Sequence, residues 1–480
     1  MAPLKVAVVG GGITGLAAAH RAVEIARERG VPLELTLLEA RERLGGTIRT
    51  ERHDGFLIEH GPDSFLTEKP AAVALCRRLR IESLLVGTDD RFRKTYVLCG
   101  GTMHALPDGF QLLAPTRLLP FACSELFSWR GKLRMALDLV LPRRNGADES
   151  LASFVRRRLG REALERVAEP LIGGIYAADP EDLSVAAALP RFRELERRDR
   201  SLIWALWRAG RRTATSHGAS GPRWSLFVTF RNGLSDFVDA LAARLPPGAV
   251  RVGTPVRGIA RDGAAWRVVT DGDVVRADRV IVATEAHAAS RALGALDPEL
   301  GRLLGEIPYV GAAVVSLGYR RDQIRHPLDG FGFVVPATEG KAILACTFSS
   351  VKFPDRAPDG HALLRCFMAR PVLGESDATL VERARAEIGA ALGVTAEPRV
   401  VRLHRHAAAM PQYHLGHLAR IDAIDRRVAA LPGLALAGAG YRGLGISECV
   451  RTGEAVAEAM LTGGVETERR RDPVPLLSTS

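Results

Sequence analysis

Lys5-Val6-Ala7-Val8-Val9-Gly10-Gly11-Gly12-Ile13-Thr14-Gly15-Leu16 stands at the head of the chain and decides its fold. Five strand-forming residues run into Gly10-x-Gly12-x-x-Gly15, and a helical pattern follows from Leu16 to about Arg29. A second apolar run, Leu33-Glu34-Leu35-Thr36-Leu37-Leu38, closes at Glu39. This is one βαβ unit with a dinucleotide fingerprint. Gly10 permits the tight turn, Gly12 lets the backbone approach a pyrophosphate, and Gly15 lets helix and strand pack closely. The helix N-terminus offers unpaired N–H groups and the positive end of its dipole to the phosphates. Glu39 stands where a carboxylate accepts from both ribose hydroxyls.

Moving outward, Arg43-Leu44-Gly45-Gly46-Thr47-Ile48-Arg49-Thr50 follows the unit. It resembles the RxGG motif of the two-dinucleotide-binding flavoproteins, and that resemblance selects FAD over NAD. In those proteins the arginine contacts the pyrophosphate and the twin glycines pass close to the cofactor. Near the other end, Leu434-Ala435-Leu436-Ala437 reads as a strand feeding Gly438-Ala439-Gly440-Tyr441-Arg442-Gly443-Leu444-Gly445-Ile446-Ser447-Glu448-Cys449-Val450, with a helix after it. In related flavoproteins such a segment passes under the ribityl chain and the flavin edge, with a helix N-terminus facing the ring. Two such signatures at opposite ends imply one domain assembled from both, with the middle inserted.

The expected fold class is α/β plus α+β: a discontinuous Rossmann-like FAD-binding domain, an inserted substrate-binding domain and a helical membrane-associating domain. Residues 1–90, 213–295 and 426–462 are assigned to the first. Residues 91–212, Arg-rich, helical in pattern and divided by Pro115, Pro120, Pro142, Pro170 and Pro180, form the helical domain. Residues 296–425 alternate strands and helices as an α+β substrate domain, and 463–480 read as a disordered tail.

Composition narrows the function classes. Of 480 residues, 47% are hydrophobic and 25% charged, as in folded globular proteins. No run of roughly eighteen apolar residues marks a spanning helix, and a strand begins at about Lys5, leaving no room for a signal peptide. A cytoplasmic location is the expectation. Cys76, Cys99, Cys123, Cys346, Cys366 and Cys449 form no CxxC pair, so neither a zinc site nor a disulfide framework is indicated. The net charge of +11, overwhelmingly from Arg, suits an anionic partner. With no nucleic-acid module present, a lipid surface or an acidic small molecule is favoured over nucleic acid.

Four further stretches sharpen the assignment. Glu169-Pro170-Leu171-Ile172-Gly173-Gly174-Ile175-Tyr176-Ala177-Ala178-Asp179-Pro180 with Leu183-Ser184, Gly330-Phe331-Gly332-Phe333-Val334-Val335-Pro336, Pro411-Gln412-Tyr413-His414-Leu415-Gly416-His417 and Leu444-Gly445-Ile446-Ser447-Glu448-Cys449 occur in that order. They resemble the EPxxxGxYAxDPxxLS, GFGxxVP, PQYxxGH and VGxPDC motifs of the FAD-dependent protoporphyrinogen oxidases, in the monoamine-oxidase-like superfamily. The last motif has Ser447 for Pro and Glu448 for Asp. The resemblance implies oxygen-dependent oxidation of protoporphyrinogen IX to protoporphyrin IX in haem biosynthesis, six electrons leaving in three rounds and hydrogen peroxide being released. The same fold acting on coproporphyrinogen III is the alternative. Also implied are peripheral contact with the inner face of the cell membrane, a homodimer and a ferrochelatase neighbour.

On the same basis the cofactor contacts are Gly10, Gly12, Ile13, Thr14, Gly15, Glu39, Arg43, Gly45, Gly46, Thr47, Gly61, Pro62, Val256, Gly440, Gly445, Ile446 and Ser447. No catalytic side chain is expected, because the flavin accepts hydride and the protein supplies an apolar slot. Substrate contacts fall on Gly174, Phe331, Gly332, Val334, Thr347 and Met368. The family's carboxylate anchor aligns with uncharged Thr95, which leaves Arg93 and Lys94 as the candidate cations. His404-x-His406 has no third ligand spacing, so no metal is expected. His417 and His414 read as structural. Ser201 to Arg212 sets Ile203, Leu206 and Trp207 on one helical face and Arg208, Arg211 and Arg212 on another, as an interfacial helix would, with Leu112, Leu113, Leu118, Leu119 and Phe121 extending the patch. Two other readings stay open. An amine oxidase or carotenoid desaturase would call for a flavin-facing lysine, from Lys341 or Lys352. A flavoprotein kept as a scaffold would turn nothing over.

Overall fold

Val6, Ala7, Val8 and Val9 are all buried, on both faces of their strand, which is why the run is continuously apolar rather than alternating. In the computed structural model, which describes residues 2–108, 110–111, 114–115, 117–144, 146, 148–215 and 226–462, this strand, Leu4–Val9, is the centre of a five-stranded sheet. The order is Val250–Arg251, Leu33–Leu38, Leu4–Val9, Arg279–Val282, Leu434–Leu436, parallel throughout. Segments from both ends and from the middle of the chain thus meet in one sheet. The helix Ile13–Arg29 ends at Gly30, whose φ of 64° closes it with a left-handed cap. It packs on Ile446–Thr462 at close range. A Cβ at Gly453 would lie 2.4 Å from the Thr14 carbonyl oxygen.

A second sheet of seven strands carries the inserted region. Its order is Val400–Pro411, Tyr309–Arg320, His361–Met368, Ile343–Phe348, Gly332–Val334, Thr95–Cys99, Thr102–Ala105. All neighbours are antiparallel except Gly332–Val334 beside Thr95–Cys99. The hairpin 95–105 therefore belongs to this sheet and not to the helical region, where the division at residue 91 put it. Its Tyr96-Val97-Leu98 run finds a place at the sheet edge, a pairing that no local pattern announces.

Helices from Leu118–Cys123 to Leu202–Thr215 form a third layer with its own core. At its centre Arg158 is fully buried against Asp138, 2.5 Å away. The other Asp138 oxygen accepts from Ser201 Oγ (2.6 Å) and from the Ile203 N–H (3.0 Å). These bonds tie down the start of Leu202–Thr215 and correct the interfacial-helix expectation. Ile203 and Leu206 face this core, and among the helix residues whose side chains are described Trp204 is the exposed large apolar group. Phe121 is buried as well, while Leu119 is exposed. Leu112 and Leu113, the side chains of Leu118, Arg211 and Arg212, and the tail 463–480 lie outside the described residues.

Candidate active site

The glycine turn and the RxGG loop dock on each other before any ligand is considered. Gly45 N–H donates to the Gly11 carbonyl at 2.8 Å, and Gly12 and Gly45 form a parallel bridge. Between these loops and Gly438-Ala439-Gly440 lies a cavity of about 820 Å³. Gly10, Gly12, Ile13, Thr14, Glu39, Arg43, Gly45, Gly46, Thr47, Val256 and Gly440, eleven of the expected cofactor contacts, line it. A Cβ on Gly12 would meet no protein atom nearer than the Gly46 Cα at 4.0 Å, so it would project into free space. Gly15 differs: its Cβ would lie 1.9 Å from the Gly10 carbonyl oxygen. Its task is packing, and it lines nothing. Gly61, Pro62, Gly445, Ile446 and Ser447 also stand outside the lining. Gly61 is pressed against the Thr47 carbonyl, where a Cβ would sit at 1.8 Å, and Ser447 Oγ donates to the Leu66 carbonyl (3.3 Å).

Glu39 is buried, its Oε2 accepting from Gly11 N–H (2.7 Å) and its Oε1 from Arg41 N–H (2.9 Å). The carboxylate is thereby fixed at the end of its strand, with remaining lone pairs for ribose hydroxyls. Arg43 spends its donors on backbone: Nη1 on Leu44 and Ile48 carbonyls (3.0 and 2.9 Å) and Nη2 on Gly46 (2.7 Å). It holds the twin-glycine turn in shape as well as lining the cavity.

The PQYxxGH stretch explains itself here. Tyr413 OH donates to the Ala439 carbonyl (2.6 Å), and His417 Nε2 donates to the Tyr441 carbonyl (2.9 Å), with the two rings stacked 4.0 Å apart. Burial pushes the His417 ring down to about 4, so it is neutral and serves as a fixed buttress for the C-terminal glycine loop. His404 and His406 line the cofactor cavity, their rings 4.4 Å apart. Burial first, then His406, His60 and nearby arginines, lower His404 to about 4. His404-x-His406 places both rings on one side of a strand, a period-2 signal that pointed to a shared surface without saying which.

A second cavity, about 1240 Å³, is lined in part by the neighbouring strand Tyr309–Arg320. Tyr309 lines the first cavity and residues 311–313 the second, with a bulge between Val310 and Ala312. Gly174 and Met368 lie in its wall, with Leu164, Ile343, Leu344 and Phe367. The nearest atom to a Cβ on Gly174 would be Ala345 Cβ at 3.7 Å, an open approach to backbone. Glu169 also lines it. Its carboxylate accepts from Ala337 N–H (3.0 Å), and burial raises its protonation range.

The other expected substrate contacts do not line either cavity. Thr95, Gly332 and Thr347 stand side by side in sheet register. Gly332, at φ 143°, is demanded by the sheet: a Cβ would lie 2.0 Å from the Cys346 carbonyl oxygen. Val334 is buried in the core of the helical layer, and Phe331 is tied by its N–H to the Lys94 carbonyl (2.8 Å). Arg93 and Lys94 are exposed and paired elsewhere, with Asp90 (2.7 Å) and Asp329 (2.8 Å). The cations that do line the second cavity are Arg156, Arg161, Lys341, Arg370 and Arg383. In this Arg-rich chain nothing in the sequence distinguished the four arginines, and Lys341 was singled out only as a candidate flavin-facing lysine. Lys352 is held by Asp63 at 3.2 Å and lines neither cavity, and Lys341 lines only the second, so neither lysine occupies the cofactor cavity.

Comparison with known proteins gives a consistent picture. The family model for flavin containing amine oxidoreductases matches residues 13–461. The coproporphyrinogen III oxidase of Bacillus subtilis (strain 168) is 36% identical over 464 residues, covering 95% of this chain and 98% of that protein. The protoporphyrinogen oxidase of Bos taurus is 33% identical over 488 residues, with 95% and 98% covered. A solved structure from Exiguobacterium sp. 255-15 superposes with a TM-score of 0.83 at 32% identity, covering 97% of this chain and 100% of the other. Putrescine oxidase, at 17% identity and a TM-score of 0.63 over 96% of this chain and 100% of that one, shares the fold.

Proposed function

This chain belongs to the flavin containing amine oxidoreductases, an FAD enzyme family, and on that premise we propose that it oxidises a porphyrinogen, coproporphyrinogen III ahead of protoporphyrinogen IX. The observation that carries this is the second cavity. Its volume exceeds the roughly 300–1,000 Å³ common for small-ligand sites, its lining is largely apolar with five cations and four carboxylates among it, and the strand Tyr309–Arg320 contributes to it and to the cofactor cavity alike. A large apolar disc with acidic arms fits those features. FAD, when bound, supplies the hydride acceptor for three two-electron rounds, with O₂ as the final acceptor and hydrogen peroxide as its product.

The chain's own part is positional. Gly174 lets the disc lie against backbone. Gly311 at the bulge keeps the strand between the cavities thin; a Cβ there would meet the Ala407 carbonyl at 2.9 Å. Tyr413 and His417 hold the loop that shapes the far side of the cofactor cavity. Placing coproporphyrinogen first is supported by the unpaired Lys341 and Arg370 in the lining of the second cavity and by the similarity to coproporphyrinogen III oxidases. Steady-state kcat/KM for both porphyrinogens tests the order: a higher value for coproporphyrinogen III is expected, and a higher value for protoporphyrinogen IX reverses it.

We also propose peripheral contact with the inner face of the cell membrane, on a different surface from the one the sequence suggested. No helix among the described residues is long and apolar enough to cross a membrane. Trp129 (73% exposed), Leu133 (69%) and Val140 (69%) instead present apolar groups next to Arg130 and Lys132, an arrangement that suits an anionic lipid surface. Trp129→Ala with Leu133→Ala should abolish sedimentation with anionic vesicles. Unchanged sedimentation would remove this surface from consideration.

A further inference from the structure

The second cavity has five cations in its lining, and three of them are neutralised. Arg156 pairs with Glu181, Arg161 with Glu165, and Arg383 with Glu375 at 2.7 Å. Lys341 and Arg370 have no carboxylate within ion-pair distance among the described residues, and both are exposed. Glu169 and Asp179 line the same cavity from the helix Glu169–Tyr176 and the segment after it, so the positive site is local to the two unpaired cations, Lys341 just before the strand Ile343–Phe348 and Arg370 just after the strand His361–Met368.

They are also held next to each other. Ile343 and Met368 are partners across the sheet, and Ala369 N–H donates to the Ala342 carbonyl at 2.8 Å. Lys341 and Arg370 flank that bond on the two neighbouring segments. The Lys341 side is set by Gly340, at φ 61°, and by Glu387, whose two oxygens accept from the Ala342 and Ile343 N–H groups at 2.7 and 2.8 Å. Those two bonds occupy the Glu387 carboxylate with backbone and keep it off Lys341. On the other strand Arg370 opens the turn Arg370–Val372, with Pro371 restricting its conformation.

We infer that Lys341 and Arg370 form a two-pronged grip for the carboxylate arms of the substrate, resting on the porphyrinogen reading above. A planar guanidinium offers a fork for one carboxylate and the ammonium a compact charge for a neighbouring one. Apolar walls give affinity for the disc without fixing its rotation; a charged grip at one edge fixes it. A porphyrinogen with a carboxylate on every pyrrole presents one to the grip however the disc is turned. One with carboxylates on only two pyrroles does so in fewer orientations. The grip is therefore a specificity device as well as a source of affinity.

The test compares wild-type holoenzyme with Lys341→Gln/Arg370→Gln and with Lys341→Arg. Binding of coproporphyrin III and of its tetramethyl ester is read by porphyrin fluorescence, alongside flavin content and KM for coproporphyrinogen III. The double variant should bind coproporphyrin about tenfold or more weakly, bind the ester as wild type does, keep its flavin, and show a raised KM. Lys341→Arg, which keeps the charge and leaves Arg370 intact, should keep most of the wild-type affinity. A double variant that bound coproporphyrin as tightly as wild type, while wild type turned over coproporphyrinogen, would overturn the grip and leave the enzyme assignment standing. Wild-type protein that turned over no porphyrinogen would remove the reading beneath the grip, and the grip with it.

Discussion

The two cavities are built by opposite means. The first is a backbone site, in which Gly10, Gly12, Gly45, Gly46, Gly438 and Gly440 bring main chain to the cofactor from three short stretches. The second is a side-chain site, in which ordinary residues from four separated stretches, 156–181, 311–313, 335–344 and 367–383, converge across sheet and helices. Recognition by backbone needs glycines at fixed spacing, and a spacing is visible in a sequence. Recognition by side chains needs only register, and register between distant strands is not.

The largest effect that tests this contrast lies within the glycine motif. Gly15→Val should give no folded, flavin-bearing protein, because its Cβ would collide with the Gly10 carbonyl. Gly12→Val should fold and lose FAD, since its side chain would enter space lined by the cavity alone. Thermal unfolding with flavin content separates the two, and a Gly12→Val protein that kept full FAD occupancy would falsify the cofactor assignment.

Next comes the joint between the regions. Asp63, just after Gly61-Pro62, is held by Lys352 (3.2 Å), at the end of the short helix Ser349–Lys352, and by Arg365 (3.6 Å) of the second sheet. Burial alone would raise its carboxyl, but these two cations override that and hold it well below the usual carboxylate range. A depressed folded value means that the stabilisation is complete above the ordinary carboxylate range and is lost as pH falls through and below it. Asp63→Asn should therefore cost about 3 kcal/mol near neutral pH, where the buried Arg365 and the partly buried Lys352 are left without their carboxylate. The difference from wild type in denaturant titrations should shrink as pH drops below about 4. A gap of constant size down the pH scale would contradict the ion-pair origin.

Within the second cavity, Gly174→Leu should fill the slot while leaving the cofactor alone. We expect kcat/KM to fall about a hundredfold, ~2.7 kcal/mol, at unchanged flavin content. Loss of flavin instead would mean that the cavities are not independent. The smallest effect is expected at Arg93 and Lys94. With their charges already satisfied by Asp90 and Asp329, Arg93→Ala and Lys94→Ala should each change KM by less than about twofold, consistent with the low value of exposed pairs. A tenfold rise in either would restore them to the substrate site.

How much was legible follows the same division. The parallel sheet joining both ends of the chain, the glycine turn, Glu39 and the twin-glycine loop were readable because each is written within a few residues. The buttressing role of Tyr413 and His417 was visible only as a motif, since their acceptors, the carbonyls of Ala439 and Tyr441, lie on another segment. Gly332 and Val334 looked like substrate contacts, yet the first is needed by the sheet and the second by the helical core. Ile203 and Leu206 show the same ambiguity: an amphipathic stripe faces either lipid or protein, and buried Asp138 settles it for protein by holding the helix start. Lys341 stood out in the sequence only as a candidate for the flavin, and Arg370 not at all, because their shared place at the second cavity depends on the pairing of two distant strands.

The most direct measurement is anaerobic mixing of the oxidised, FAD-loaded protein with coproporphyrinogen III, followed by flavin and porphyrin absorbance together. Removal of six electrons by a two-electron cofactor predicts that the flavin bleaches and that three flavins are reduced for each porphyrin formed. A flavin that stays oxidised in the presence of excess porphyrinogen, in protein that retains its FAD, would contradict the assignment of the second cavity as a porphyrinogen site.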